Sequence, residues 1–171
     1  YFDGWTVAGM LTENIERYCV ERKGLGRGEA YRLYREHGTA LRGLLAEGHM
    51  ENCDEAIDEY LREVHDLPIR TSLRRDDELR SMLLRLDPAI PKYVFTASVR
   101  HHAERCLRAL GVEDLFDDIV DVRSCDLQTK RSPLAYRRAM EVAGIDDPEC
   151  CVFLDDCVGN VRTAREAGWR A

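Results

Sequence analysis

The chain has 171 residues, with 25 basic against 32 acidic side chains (formal net charge −7), 44% hydrophobic and 33% charged residues. That length supports one sizeable core, or a core with a small second unit, and the acid excess excludes the basic footprint of a nucleic-acid binder. No apolar run is long enough to span a bilayer, and none fits a signal or transit peptide, so a cytoplasmic protein with no membrane partner is the expectation.

In chain order, Val7, Met10, Leu11, Ile15 and Tyr18 recur at helical spacing, and Gly24 ends the run. A second helix is expected from Glu29 to His37, Gly38-Thr39 and Gly43 punctuate the next stretch, Leu41 to Leu45, and a further helix is expected from about Cys53 to Val64. The last should stop near His65-Asp66-Leu67-Pro68, because proline disfavours α geometry in the residue before it. No strand pattern occurs in this block, so residues 7–75 read as an all-helical subdomain.

From Asp76 the pattern changes. A helix with acids in its first turn is expected over Asp76 to Leu86. Strands are expected at Tyr93-Val94-Phe95-Thr96, within Phe116 to Val122, and at Cys151-Val152-Phe153-Leu154, the last buried on both faces. Helices alternate with them: one from Val99 to Gly111, one opened by Ser132-Pro133 and closed by Gly144, and one ending at Gly168. Alternation of this kind predicts a parallel sheet covered by helices, an α/β core over residues 76–171. Seven cysteines, odd in number and without a C-x-x-C, read as small apolar residues of a reducing compartment.

Ligands of such sheets bind beyond the C-terminal ends of the strands, and three polar features fall there. Thr96-Ala97-Ser98 ends one strand and opens a helix, where a hydroxyl and backbone N–H groups can receive an anion. Lys130 stands just ahead of another helix. Asp155 and Asp156 end the apolar run at Leu154. Adjacent carboxylates repel and raise each other's pKa unless a cation is shared, so the pair suggests a hard dication such as Mg²⁺.

In that order these segments resemble the later motifs of the haloacid dehalogenase superfamily, and most closely its pyrimidine 5′-nucleotidase-like branch. Val94-Phe95-Thr96-Ala97-Ser98 is similar to the strand ending in a phosphate-binding hydroxyl. Lys130 is similar to the family lysine, and Leu154-Asp155-Asp156-Cys157-Val158-Gly159-Asn160 to the acidic Mg²⁺-binding motif. Gly38-Thr39-Ala40-Leu41-Arg42-Gly43-Leu44 and Val64-His65-Asp66-Leu67-Pro68 are similar to segments of that branch's cap. The resemblance implies a Rossmannoid parallel-sheet core with an inserted all-helical cap. It implies a Mg²⁺-dependent phosphomonoesterase for a small phosphorylated metabolite, a pyrimidine nucleoside 5′-monophosphate first among them. Thr96 and Lys130 would be catalytic, Thr96, Ala97, Ser98 and Lys130 would hold phosphate, and Asp155 and Asp156 would hold the metal. Oligomeric state is not legible.

Departures are equally definite. The family's first motif, Asp-x-Asp-x-Thr, is absent; in Phe2-Asp3-Gly4-Trp5-Thr6 the second acid falls at Trp5. The resemblance therefore places the nucleophile strand upstream of Tyr1, makes Asp3 a residue leading into the cap, and makes residues 1–171 alone inactive. The start without Met and the stop at Trp169-Arg170-Ala171, where a strand is due, also read as part of a longer protein. Ala97 replaces the usual Asn, and Arg131 stands where Pro or His is commoner. Arg42, His49 and His65 read as helix-surface residues rather than leaving-group contacts. Two other readings fit the residues: a metal-independent haloacid dehalogenase, and a non-catalytic phospholigand-binding domain that has lost the first motif.

Overall fold

The structure is a computed structural model that describes residues 6–171, so the segment around Asp3 lies outside it. The described chain divides into two compact units, one running to Asp76 with residues 108–110, the other comprising residues 77–107 and 111–171. Among the described residues, no helix is long and apolar enough to cross a membrane.

The first unit is helical: α1 (Thr6–Glu21), α2 (Glu29–His37), α3 (Ala40–Ala46), α4 (Asp54–Val64) and α5 (Ile69–Ser72). Apolar periodicity explains the first four. Val7, Tyr18 and Cys19 are buried on α1, and Ile57, Tyr60, Leu61 and Val64 on α4. Tyr18 and Tyr60 meet edge to face at 4.9 Å, a favoured geometry for aromatic pairs. The carbonyls left over at the end of α4 find a donor: Asn14 Nδ2 bonds Val64 O (3.1 Å) and Asp66 O (3.2 Å). Thr39 caps α3 by accepting from Arg42 N. Gly43 lets α2 and α3 approach closely, since a Cβ there would stand 2.6 Å from Leu33 Cβ. The four-residue α5 is a helix the apolar pattern does not announce; Thr71 and Ser72 bond back to Pro68 O, and Ile69 is buried.

The second unit holds α6 (Asp77–Leu83), β1 (Tyr93–Phe95), α7 (Arg100–Leu110), β2 (Asp118–Val120), α8 (Pro133–Ala143) and α9 (Val158–Glu166). β1 and β2 pair in parallel, Val94 opposite Ile119, and Thr96 N continues the ladder to Val120 O. Two consecutive strands that pair in parallel require a crossover, and α7 makes it. The fold is that of an α/β protein with a helical subdomain, as the sequence implies. Ser132 does occupy the N-cap of α8, but its side chain makes no cap bond. At the end of α9, Gly168 has φ 90°, and Trp169 N reaches back to Ala164 O. Such a turn calls for a residue without a Cβ penalty.

The segment Cys151–Leu154 corrects the sequence reading. It is not a strand buried on both faces. Cys151 and Phe153 are buried, whereas Val152 and Leu154 are 70% and 89% exposed. Its pairing is one parallel bridge, Val152 with Arg170, made by Phe153 N to Arg170 O and Arg170 N to Cys151 O. One face packs on Tyr136, Ala164 and Trp169. A four-residue apolar run cannot distinguish one buried face from two, since both patterns are satisfied by all-apolar residues.

Candidate active site

The candidate site lies within the second unit, at the C-terminal ends of β1 and of the Cys151–Leu154 segment. At the end of β1, Thr96 Oγ1 accepts from Ser98 N at 3.0 Å, closing a tight turn. That hydroxyl is thereby turned onto its own backbone. Ser98 Oγ is buried and has no hydrogen-bond partner. An orphaned buried hydroxyl is costly, and a polar ligand at the start of α7 would satisfy it. Ala97 contributes no polar side-chain group.

Lys130 joins the two segments. Its Nζ donates to Phe95 O at 3.3 Å and to Asp155 Oδ2 at 2.5 Å. The ammonium also lies 5.8 Å from the Phe95 ring centroid and 5.7 Å from that of Phe153, within cation–π range. The lysine side chain is 17% exposed and that of Asp155 only 5%. Asp155 Oδ1 accepts from Cys157 N and Asn160 Nδ2, both at 2.9 Å. Burial acts to raise the Asp155 pKa; Lys130, the Cys157 N–H and Asn160 outweigh it and hold the carboxyl below the usual range. Asp156 is exposed. The two adjacent acids are therefore unequal, one a buried anion and the other open to solvent.

The donor chemistry fits a hard dication. A carboxylate offers about four lone-pair sites, and Asp155 shows three N–H donors. One site thus remains for a metal, beside the Asp156 carboxylate. Among the described residues, the group of potential ligands whose atoms converge within 4.8 Å is elsewhere, at Glu36, His37 and Glu47. Arg32 already fills that cluster: its guanidinium bonds Glu36 once and Glu47 twice, at 2.7 to 2.9 Å.

Two residues that the sequence reading gave no role complete the site. Tyr136 is fully buried, and its hydroxyl contacts Lys130 O at 3.0 Å and Asn160 O at 2.8 Å. Its ring stands edge to face against Phe95, Phe153 and Trp169, at 5.4, 5.5 and 5.2 Å. Asn160 ties the start of α9 to Asp155. A signal for Tyr136 existed, since it adjoins Ala135 on the apolar stripe of α8; nothing in the sequence placed its hydroxyl.

In the helical unit, His65 is not a surface residue. It is buried, its Nδ1 lies 2.7 Å from Leu61 O, and burial lowers its pKa. His49 is exposed, with Nε2 3.5 Å from Glu47. All seven cysteines are free, and Cys19, Cys106, Cys125 and Cys151 are buried. Cys150 and Cys157 are exposed, so the apolar reading covers only some of the cysteines.

Comparison with known proteins bears on this geometry. A model of the haloacid dehalogenase-like hydrolases matches residues 7–168. Phosphate metabolism protein 8 of Saccharomyces cerevisiae is 27% identical over 174 residues, which cover 93% of this chain. The chain spans about half, 53%, of that yeast protein's length. Among solved structures, the HAD-hydrolase YfnB of Bacillus subtilis, crystallised with magnesium, aligns with a TM-score of 0.50 at 17% identity. That alignment covers 95% of this chain and 78% of YfnB, and at this identity it speaks to the fold alone.

Proposed function

Because the chain belongs to the haloacid dehalogenase-like hydrolases, we propose that it is part of a Mg²⁺-dependent phosphomonoester hydrolase. The observation that carries this reading is Lys130, held between Phe95 O at the end of β1 and the buried Asp155; three residues after Phe95, the Ser98 hydroxyl is orphaned. Phosphoryl transfer demands positioning and neutralisation of charge on the phosphoryl oxygens. Lys130 supplies a cation at fixed position, and Ser98 Oγ supplies a donor at the start of α7. Thr96 Oγ1 holds the turn that leads through Ala97 to Ser98. Asp155 and Asp156 would hold Mg²⁺, which when bound adds positive charge to the same oxygens.

The attacking carboxylate, in this reading, belongs to a strand of the longer protein rather than to residues 1–171. It forms an aspartyl-phosphate, while a second Asp protonates the leaving alkoxide and then activates water. The length of the yeast relative leaves room for such a strand, and its name associates it with phosphate. The helical unit would act as the cap that selects the substrate. A pyrimidine nucleoside 5′-monophosphate is the first candidate, on the resemblance to that branch, and a cytoplasmic location belongs to the same reading.

The test is phosphate release from pyrimidine nucleoside monophosphates by the full-length protein. Activity should require Mg²⁺ and should fall by about 10²-fold or more in Asp155→Ala, as when a preorganised charge-stabilising group is removed. Full activity in the variant would remove Asp155 from the metal site.

A further inference from the structure

We propose that Asp121, which no motif includes, is a positioning residue that fixes the Lys130 arm against the Thr96–Ser98 turn. The proposal rests on the phosphatase reading above. Asp121 follows β2 directly and is buried. One carboxylate oxygen, Oδ2, accepts from Arg100 N, the first residue of α7, at 3.0 Å. The other, Oδ1, accepts from Ser124 N at 2.9 Å and Ser124 Oγ at 2.6 Å.

Each oxygen thus serves a different arm of the site. Oδ2 caps a helix whose own preceding residue, Val99, has no side-chain acceptor. That helix start carries the Ser98 hydroxyl. Oδ1 pins the base of the loop that runs from residue 121 to Lys130. A neighbouring bond, Val122 N to Ser98 O at 3.0 Å, stitches the same two segments again. The far end of the loop is fixed too, by the Tyr136 hydroxyl on Lys130 O.

Between these pins the loop is strained. Asp126 and Leu127 adopt φ of 51° and 58°, a left-handed conformation that a bulky residue rarely holds unless its surroundings over-determine it. A strained loop springs to other conformations when a pin is lost. Asp121 is the pin at its base, and its release moves the ammonium away from the turn. The groups that bond this carboxylate are the Arg100 N–H of α7 and the Ser124 N–H and hydroxyl of the loop itself.

The experiment compares steady-state hydrolysis of a phosphomonoester and competitive inhibition by inorganic phosphate in full-length wild-type protein, Asp121→Ala, Asp121→Asn, Ser124→Ala and Asp118→Ala. Asp121→Ala should raise both KM and the phosphate inhibition constant by about tenfold, the effect of losing hydrogen bonds to a charged group. Asp121→Asn keeps one acceptor oxygen and should recover part of that loss. Ser124→Ala keeps the cap on α7, remains folded, and should weaken phosphate inhibition by an intermediate factor. Asp118→Ala removes the exposed pair with Arg100 and the bond from Ile119 N, and leaves both Asp121 oxygens bonded; it should lower the melting temperature and leave phosphate inhibition unchanged. Wild-type phosphate inhibition retained in folded Ser124→Ala and Asp121→Asn overturns the positioning role while the phosphatase reading stands. A wild-type protein that neither hydrolyses phosphomonoesters nor binds phosphate overturns both.

Discussion

Glu47 in the helical unit and Asp155 in the α/β unit each face a cation, and each has a carboxyl held below its ordinary pKa, but they are built in opposite ways. Glu47 is paired with Arg32 and His37 on the surface, and these hold it at about 2. Arg32 is shared among Glu29, Glu36 and Glu47, so acids outnumber the guanidinium and it is saturated. Asp155 is buried with a single lysine, the adjacent Asp156 is open to solvent, and Ser98 Oγ in the same unit is left without a partner. A charge cluster that closes on itself is structural. One that is buried yet incompletely satisfied is poised for a ligand.

Breaking each cluster at its cation should separate them most. Lys130→Met leaves Asp155 buried without its partner and should cost about 3 kcal/mol, as for other broken buried pairs. Arg32→Met removes an exposed, solvent-screened partner, and its unfolding midpoint should move far less. Denaturant unfolding of the two variants measures the contrast, and equal losses would contradict it. Next in size is Tyr136→Phe, which keeps the ring and deletes the hydroxyl between Lys130 O and Asn160 O. It should cost about 1 kcal/mol and lower kcat, both measurable on one preparation.

Acid titration sharpens the comparison further. Asp155 has a folded pKa below its unfolded value, so the native state binds fewer protons. Its stabilisation is complete above the ordinary carboxylate value of about 3.9 and is lost as pH falls through the folded value. Glu47 follows the same sign, losing its contribution as pH falls towards 2. His65 acts earlier. Burial lowers its pKa, so its neutral form favours the fold, and stability is lost as pH falls below about 6.5. Amide exchange should therefore show protection falling first around α4 and later around Asp155. Replacing His65 with Gln should abolish the first phase. The smallest effect is expected of Glu47→Gln: a slight fall in melting temperature and unchanged phosphate release.

Much of this contrast was legible in the sequence, and the unread part has physical causes. Helical periodicity marks α1, α2 and α4, because a buried stripe repeats every three to four residues, whereas the glycines around Leu41 to Leu45 obscure the short α3. The order Thr96, Lys130, Asp155 at strand ends marks the site. Neither signal gives the partners of a side chain. That Asp155 is buried while Asp156 is exposed depends on which way the chain turns after Leu154. That Tyr136 and Asp121 reach the loop ending in Lys130 depends on tertiary placement of residues with no local pattern. His65 sits at the C-cap of α4, where the spacing that suggests a surface residue also suits one folded back onto Leu61. The Cys151–Leu154 run misled because hydrophobicity records what a segment can bury, not what covers it.

The aromatic cluster beneath the site has an optical consequence. Trp169, one of two tryptophans in the chain, packs 5.2 Å from Tyr136 and 6.1 Å from Phe153, and its indole N–H points at the Met140 sulfur. Tyr136 in turn touches the backbone of both Lys130 and Asn160. Whatever shifts those loops alters the surroundings of the indole. The intrinsic emission of Trp169 is thus a built-in signal of events at the site, readable in the unlabelled protein during a titration or a stopped-flow trace.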